Sequence, residues 1–339
     1  MLFLITYARR LGARLFGKRK NRMDVILHVG AHRTATASLA VFFEQNKDEA
    51  REQRVAFWGA DRIRSGLFSG LMAHKNSIMP DTPRRRDRAT QLIRMELDRL
   101  EKSGVHQLIV SEPSMIGTMM QNLQSERLYP NFQPRLSRFF DAFGDHCCQI
   151  SFSLRSYEGY WTSALAHAIP RGLAIPSENT VDRLVTQPRR WKTLISEARA
   201  VFPSAEVLVW PFEAMAGHPV RQIALMTGAT FQPSRANAPW VNAAPNRQAI
   251  SRALIERNTP VISGTNWPPF QNHHRQVLRA QYHEDLEWLK TNNDTLISYS
   301  ETAGKHQRFD KLTDSQDVAD NKPAYLRGHP NDREERRMV

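Results

Sequence analysis

Residues 24–43 read DVILHVGAHRTATASLAVFF, and the fold turns on this stretch. Val25, Ile26, Leu27 and Val29 form an apolar run of strand length that halts at Gly30. Leu39, Phe42, Phe43 and Ala50 then recur on one helical face, so a helix opens near Ser38. A helix start carries unpaired backbone N–H groups and partial positive charge, which suits an anion. The connecting loop offers Thr34, Ala35, Thr36, Ala37 and Ser38, with His32 and Arg33 beside them, and phosphate is the natural guest. A plainer reading stays open, a strand-to-helix turn whose Thr and Ser cap the helix. The nucleotide-triphosphate loop G-x-x-x-x-G-K-[ST] does not fit, because Ala35 replaces the second glycine and no Lys follows.

Outward from this stretch, strands and helices alternate. Arg54–Trp58 (RVAFW) reads as a strand, and residues 61–85, rich in Gly, Ser, Pro, Asn and Arg, read as a long loop that would offer acceptor-binding surface. Ala89 to Leu100 marks a helix, and Leu108-Ile109-Val110 a strand that runs into Ser111-Glu112-Pro113. A carboxylate directly after a central strand stands where α/β sheets gather their ligands, so Glu112 is a candidate for chemistry; a helix cap or salt bridge is the alternative. Residues 131–143 read as a helix, Gln149–Leu154 as a strand, 181–185 and 191–198 as helices, and Glu206–Trp210 as a strand followed by Pro211-Phe212-Glu213. Helices follow at 249–257 and 275–290. Alternation through residues 24–230 predicts an α/β fold, a central parallel sheet flanked by helices on both faces through right-handed crossovers, with a helical C-terminal part.

The loop HVGAHRTATASL resembles the 5′-phosphosulfate loop of the sulfotransferase family, in which a strand runs into H-K-T-G-T-T-S-L or P-K-S-G-T-T. Arg33 stands for the family's Lys, Thr34 and Thr36 match, Ala35 stands for Gly, Ala37 for the second Thr, and Ser38-Leu39 match the helix start. A second similarity lies in LRSYEGYWTSALAHAI, residues 154–169. The family holds the cofactor's 3′-phosphate with an Arg at a strand end and a Ser eight residues on, and Arg155 and Ser163 keep that spacing. A guanidinium fork and a hydroxyl two helical turns later can reach one phosphate. Tyr157, Tyr160 and Trp161 between them would pack the helix on the sheet.

The resemblance implies a P-loop-like sheet and sulfuryl transfer from 3′-phosphoadenosine 5′-phosphosulfate to an acceptor hydroxyl, on a glycan or lipid-linked sugar. It implies that Arg33, Thr34, Ala35, Thr36, Ala37 and Ser38 hold the 5′-phosphosulfate, and Arg155 and Ser163 the 3′-phosphate. Phe212, at the end of a strand similar to the family's V-x-[RWP]-[YF]-E strand, would sit near the adenine or serve as core. For the catalytic base, Glu112 ranks first by its strand-end position. Asp61 ranks second, at a spacing after the loop similar to that of heparan-type members, and His74 third. Arg33 keeps the electrostatic role of the family's Lys but cannot donate a proton at neutral pH. Leu326-Arg327-Gly328-His329-Pro330 faintly resembles a C-terminal cofactor loop of the same members.

The formal charge of +13 and pI near 10.1 suggest an acidic partner; a nucleotide cofactor fits, and nucleic acid is not expected. Seven of the basic residues fall within residues 1–22, which contain no acidic residue. That segment reads either as an amphipathic helix making peripheral contact with an anionic membrane or as sequence ahead of a translation start at Met23. The main domain spans 23–300, and the polar segment 301–339 reads as a disordered tail. Adjacent Cys147 and Cys148 suit neither a disulfide nor a metal site and read as two buried thiols in the cytoplasm or at its membrane face. His273-His274 lacks sequence partners for a metal, and no zinc spacing occurs. Two competitors remain, a kinase or ATPase with a degenerate phosphate loop, and an inactive protein of sulfotransferase fold that docks on membranes or polyanions.

Overall fold

The computed structural model describes residues 22–72, 82–237, 239–257 and 267–301. His74, almost all of the basic segment 1–22, and the tail with Leu326 to Pro330 lie outside the described residues. The six strands are β1 (Asp24–His28), β2 (Val55–Trp58), β3 (Gln107–Ser111), β4 (Cys147–Leu154), β5 (Glu206–Pro211) and β6 (Ile297–Tyr299), and they form one sheet in the order β2-β3-β1-β4-β5-β6. Every pairing is parallel. The helices of ordinary α type that matter below are α1 (Thr36–Gln45), α2 (Lys47–Glu52), α3 (Pro83–Lys102), α4 (Met119–Ser125), α5 (Phe132–Phe143), α6 (Tyr157–Ala168), α7 (Glu178–Thr186), α8 (Trp191–Val201), α9 (Phe212–Met215), α10 (Pro219–Thr227), α11 (Arg247–Glu256) and α12 (Asn272–Thr291).

β1 is central. It pairs with β3 on one side, Ile26 against Ile109, and with β4 on the other, Leu27 against Ile150. A parallel strand covered on both faces must be apolar on both, which is why Val25 to Leu27 read as an unbroken run. Alternate residues enter two separate cores. Ile26, Ile109, Leu208 and Trp210 pack with Leu39, Phe42 and Phe43 of α1 and Ile223 of α10. Val25, Leu27, Val110 and Phe152 pack with Leu97, Phe139, Trp161 and Leu194 of α3, α5, α6 and α8. The chain runs from β1 outward to the β2 edge, and from β2 onward each step runs the opposite way. Right-handed crossovers therefore place α1 and α2 on one face and the helices that link β2 through β5 on the other. The carboxyl end of β1 becomes the crevice of the sheet.

Three expectations change. Residues 61–85 are not a continuous loop: a helical turn, Ala60–Arg62, runs into a wider turn at Ile63–Leu67, and α3 begins at Pro83. β6 is too short for a periodicity to reveal it, and it joins β5 through Val207 and Val209. Cys147 is buried but Cys148 is only half-buried.

Tyr157, Tyr160 and Trp161 are fully buried, as expected for residues packing α6 on the sheet. A polar cluster sits beside them. The Tyr157 hydroxyl donates to Asp285 of α12, and the Trp191 backbone N–H reaches both that hydroxyl, at 2.7 Å, and Asp285 Oδ2, at 3.1 Å. Arg190 completes it, 3.3 Å from Asp285 Oδ1 and stacked over the Tyr157 ring. Burial pushes the Asp285 carboxyl above its usual range, against the pull of Tyr157 and Arg190. Removing the carboxylate strands these donors in the interior. Asp285→Ala is expected to lose about 3–5 kcal/mol in urea unfolding, and Asp285→Asn, which keeps an acceptor, distinctly less.

Candidate functional site

After His28 the chain keeps alongside β4, with Val29 N–H on the Ser151 carbonyl (3.1 Å) and Ala31 N–H on that of Ser153 (2.9 Å), and then turns. Gly30 has φ +45°, and a Cβ there would lie 3.1 Å from Thr36 Cγ2, so both conformation and space call for glycine. Arg33 (φ 67°) and Ala35 (φ 60°) are left-handed, with Thr34 between them at negative φ. Alternation of this kind turns successive N–H groups inward to form an anion-binding nest. α1 begins directly on it. Its N-cap, Ala35, supplies no side-chain bond, and its first turn holds no acidic residue.

No loop hydroxyl caps α1. Thr34 Oγ1 donates to the Ala31 carbonyl at 2.7 Å, locking the turn, and Ser38 Oγ accepts the Val241 N–H at 2.9 Å. Ala35, Thr36 and Ala37 bring backbone N–H groups to the start of α1.

The two segments singled out by sequence meet. Arg33 Nε donates to Ser163 Oγ at 3.0 Å, its Nη2 donates to the Asn242 carbonyl at 2.8 Å, and its Nη1 lies 3.4 Å from His167 Nδ1. Arg155, at the end of β4, donates through Nη1 to the Arg33 carbonyl at 2.7 Å and stacks over Phe212, 4.9 Å from the ring centre. Phe212 is thus the floor under a buried guanidinium. The Arg155 carbonyl accepts from Trp191 Nε1 at 2.9 Å, which ties it to the Tyr157–Asp285 cluster.

Glu112, buried at the end of β3, accepts from Ser114 N–H at 3.0 Å and pairs with Arg64 at 2.8 Å. Cap and salt bridge, the alternative weighed for it, are both present, at the strand next to β1. Asp61 is exposed in the turn after β2, an edge strand two spacings, roughly 10 Å, from β1.

Several residues of the site have no sequence signal. Tyr129, buried in the turn between α4 and α5, takes the His32 N–H on its hydroxyl at 2.8 Å. Arg135 of α5, nearly buried, donates to the Ser114 carbonyl at 2.8 Å; burial draws it down to about 10, so it stays charged at neutral pH. Three histidines stay neutral. His32 is drawn down to about 3 by burial and then by Arg33, Arg64 and Arg135, His167 to about 4 by burial and Arg33, and His28 to about 4 by burial under Trp210, with Ser111 Oγ on its Nδ1 at 2.8 Å. Arg33, Arg64 and Arg135 thus surround His32, with Glu112 paired to Arg64, while Glu213 accepts the Ser156 N–H next to Arg155 at 2.9 Å.

Away from the crevice, Asp182 supplies His273-His274 with the partner missing in sequence. His274 Nε2 donates to Asp182 at 2.8 Å, and its Nδ1 accepts the Gln271 N–H at 3.2 Å, so the ring caps α12 through Nδ1 and ties it to α7 through Nε2. Among the described residues no helix is long and apolar enough to cross a membrane. Comparison with known proteins finds no matching family model and no matching curated protein.

A left-handed Ala costs roughly 1–2 kcal/mol, against roughly 0.5–1 for the extra chain entropy of Gly. Ala35→Gly is therefore expected to raise unfolding stability by about 0.5–1 kcal/mol in urea titration. A Val at the same position should lower it.

Proposed function

We propose that this chain is a sulfotransferase that moves a sulfuryl group from 3′-phosphoadenosine 5′-phosphosulfate to a hydroxyl of a glycan or lipid-linked sugar. The observation that carries the reading is the contact of Arg33 with Ser163 and of Arg155 with the Arg33 carbonyl, above the uncapped start of α1. It joins the two segments whose sequences resemble the family's phosphate-binding motifs. The donor set fits such a group, since it offers N–H groups and guanidinium forks to an anion and no carboxylate within the loop.

When bound, the cofactor supplies the activated sulfuryl group. Arg33, Thr36, Ser38 and the backbone N–H groups of Thr34 and of the start of α1 would hold the 5′-phosphosulfate and stabilise charge that grows on the leaving phosphate. Arg155 and Ser163 would hold the 3′-phosphate and fix the register. Such a displacement asks the protein for alignment and electrostatics more than for covalent chemistry. Arg33 contributes charge and geometry, not a proton.

The acceptor hydroxyl must lose its proton. Among the described candidates Glu112 stands at the mouth of β1 and β3, and release of Arg64 would free one of its oxygens. Asp61, exposed three residues before the Arg64 that pairs with Glu112, is the second candidate.

Calorimetry with 3′-phosphoadenosine 5′-phosphate, with 5′-AMP and ATP–Mg²⁺ as controls, tests the assignment. The bisphosphate is expected to bind most tightly, and Arg155→Ala to weaken it by roughly 10- to 100-fold, the worth of a charged hydrogen bond. A preference for ATP–Mg²⁺ would replace the transferase with the kinase reading. Acidic-lipid or glycan binding that survives Arg155→Ala, with no bisphosphate binding, would leave the docking protein.

Glu112→Gln keeps an oxygen for Ser114 N–H and so spares the local fold. It is expected to cut turnover by roughly 10²- to 10⁴-fold with bisphosphate affinity unchanged. Undiminished turnover would remove Glu112 as the base.

A further inference from the structure

His32 lies inside the anion loop, yet it turns its ring inward. Its Nδ1 is 2.8 Å from the Tyr129 hydroxyl, and its own backbone N–H donates to the same oxygen at 2.8 Å. The rings of Tyr129 and Tyr160 pack with centroids 6.4 Å apart. Tyr160 accepts Asn122 Nδ2–H at 2.6 Å, and the Asn122 oxygen accepts the Tyr129 N–H at 3.0 Å, which fixes the direction of the amide. Asn122, Tyr129 and Tyr160 are fully buried.

The Tyr129 hydroxyl accepts the His32 backbone N–H, and its own proton points at His32 Nδ1, 2.8 Å away. With Nδ1 as the donor instead, both partners would donate to the one buried oxygen and its own proton would lose this acceptor, at a cost of about 1–3 kcal/mol. Nδ1 is therefore an acceptor, and the ring proton sits on Nε2. The two nitrogens of an imidazole face divergent directions, so Nε2 faces away from Tyr129. Charged and titratable groups around the ring come from each neighbouring element: Arg33 of the loop, Arg64 after β2 with Glu112 as its partner, Arg135 of α5 and His167 of α6. Their balance disfavours a second ring proton.

We infer that His32 is a fixed donor, whose tautomer is set by the buried Tyr129 hydroxyl and whose Nε2–H hydrogen-bonds the anion in the loop. It rests on the loop being the phosphosulfate site proposed above. A neutral donor grips the anion without a charge that would switch with pH, so binding keeps the same strength between pH 5.5 and 8 as far as this residue is concerned.

The test is long-range ¹H–¹⁵N spectroscopy of the full ¹⁵N-labelled chain, with the His32 ring assigned by its loss in His32→Gln. Without ligand, the Nε2–H tautomer and no titration from pH 5.5 to 8 are expected. A mixed or Nδ1–H tautomer, or a midpoint near 6.5, overturns the inference. With inorganic pyrophosphate or 3′-phosphoadenosine 5′-phosphate at saturation, the Nε2 signal should move, and an unmoved signal with both anions also overturns it. His32→Phe should bind pyrophosphate at least tenfold more weakly, whereas His32→Gln, which places an amide N–H near the same point, should stay within about threefold. Tyr129→Phe should release Nδ1 and give a mixture of the two neutral tautomers, still without titration from pH 5.5 to 8; an unchanged single tautomer overturns the inference. Pyrophosphate binding through Nε2–H without bisphosphate binding would sink the transferase and keep the donor.

Discussion

The bond from the Arg155 guanidinium to the Arg33 carbonyl is the constraint on which the rest of the site depends. It clamps the crest of a turn in which Arg33 and Ala35 are both left-handed, a conformation that costs each of them roughly 1–2 kcal/mol. Arg155 can serve as a clamp because it is held from behind. Phe212 supports its guanidinium, and Trp191 fixes its carbonyl. Trp191 in turn is held through its backbone by Tyr157 and Asp285. A polar cluster between α6, α8 and α12 thus sets the position of a loop on the far side of β4. Strain at the crevice is offset by packing elsewhere, as is usual for functional turns.

Electrostatics at the crevice follow the same division of labour. Permanent charge is assigned to arginines, which do not titrate near neutrality, and histidines are kept neutral by burial and by those arginines. The field at the loop therefore barely changes between pH 5.5 and 8. Glu112 is the counterweight, and its pairing with exposed Arg64 links the crevice to the turn after β2.

How legible all this was depended on the kind of signal each feature carries. β1 and α1 announce themselves because an apolar run stops at Gly30 and a helical period begins within ten residues. Arg155 and Ser163 were visible only because their segment resembles a known family's motif, and the structure brings both to Arg33. Asn242 and Val241 were not, since they act through backbone atoms in an irregular segment that no periodicity marks. Tyr129 escaped for the same reason, in a turn where an aromatic reads as core. Arg135 reads as one more basic residue on a surface helix until burial singles it out. β6, at three residues, falls below any period.

The place of β1 also has a consequence for how the molecule is made. The strand precedes the other five described strands in the chain and waits for partners at residues 107–111 and 147–154. At ordinary rates of translation, on the order of ten seconds pass between the emergence of residue 28 and that of residue 154. Throughout that interval an apolar strand has at least one bare edge. Arg33 waits longer still, because its last partner, Asn242, emerges after β5. A nascent chain halted before residue 242 therefore holds the Arg33 turn with its Arg155 and Ser163 contacts but without the Asn242 carbonyl that takes the guanidinium.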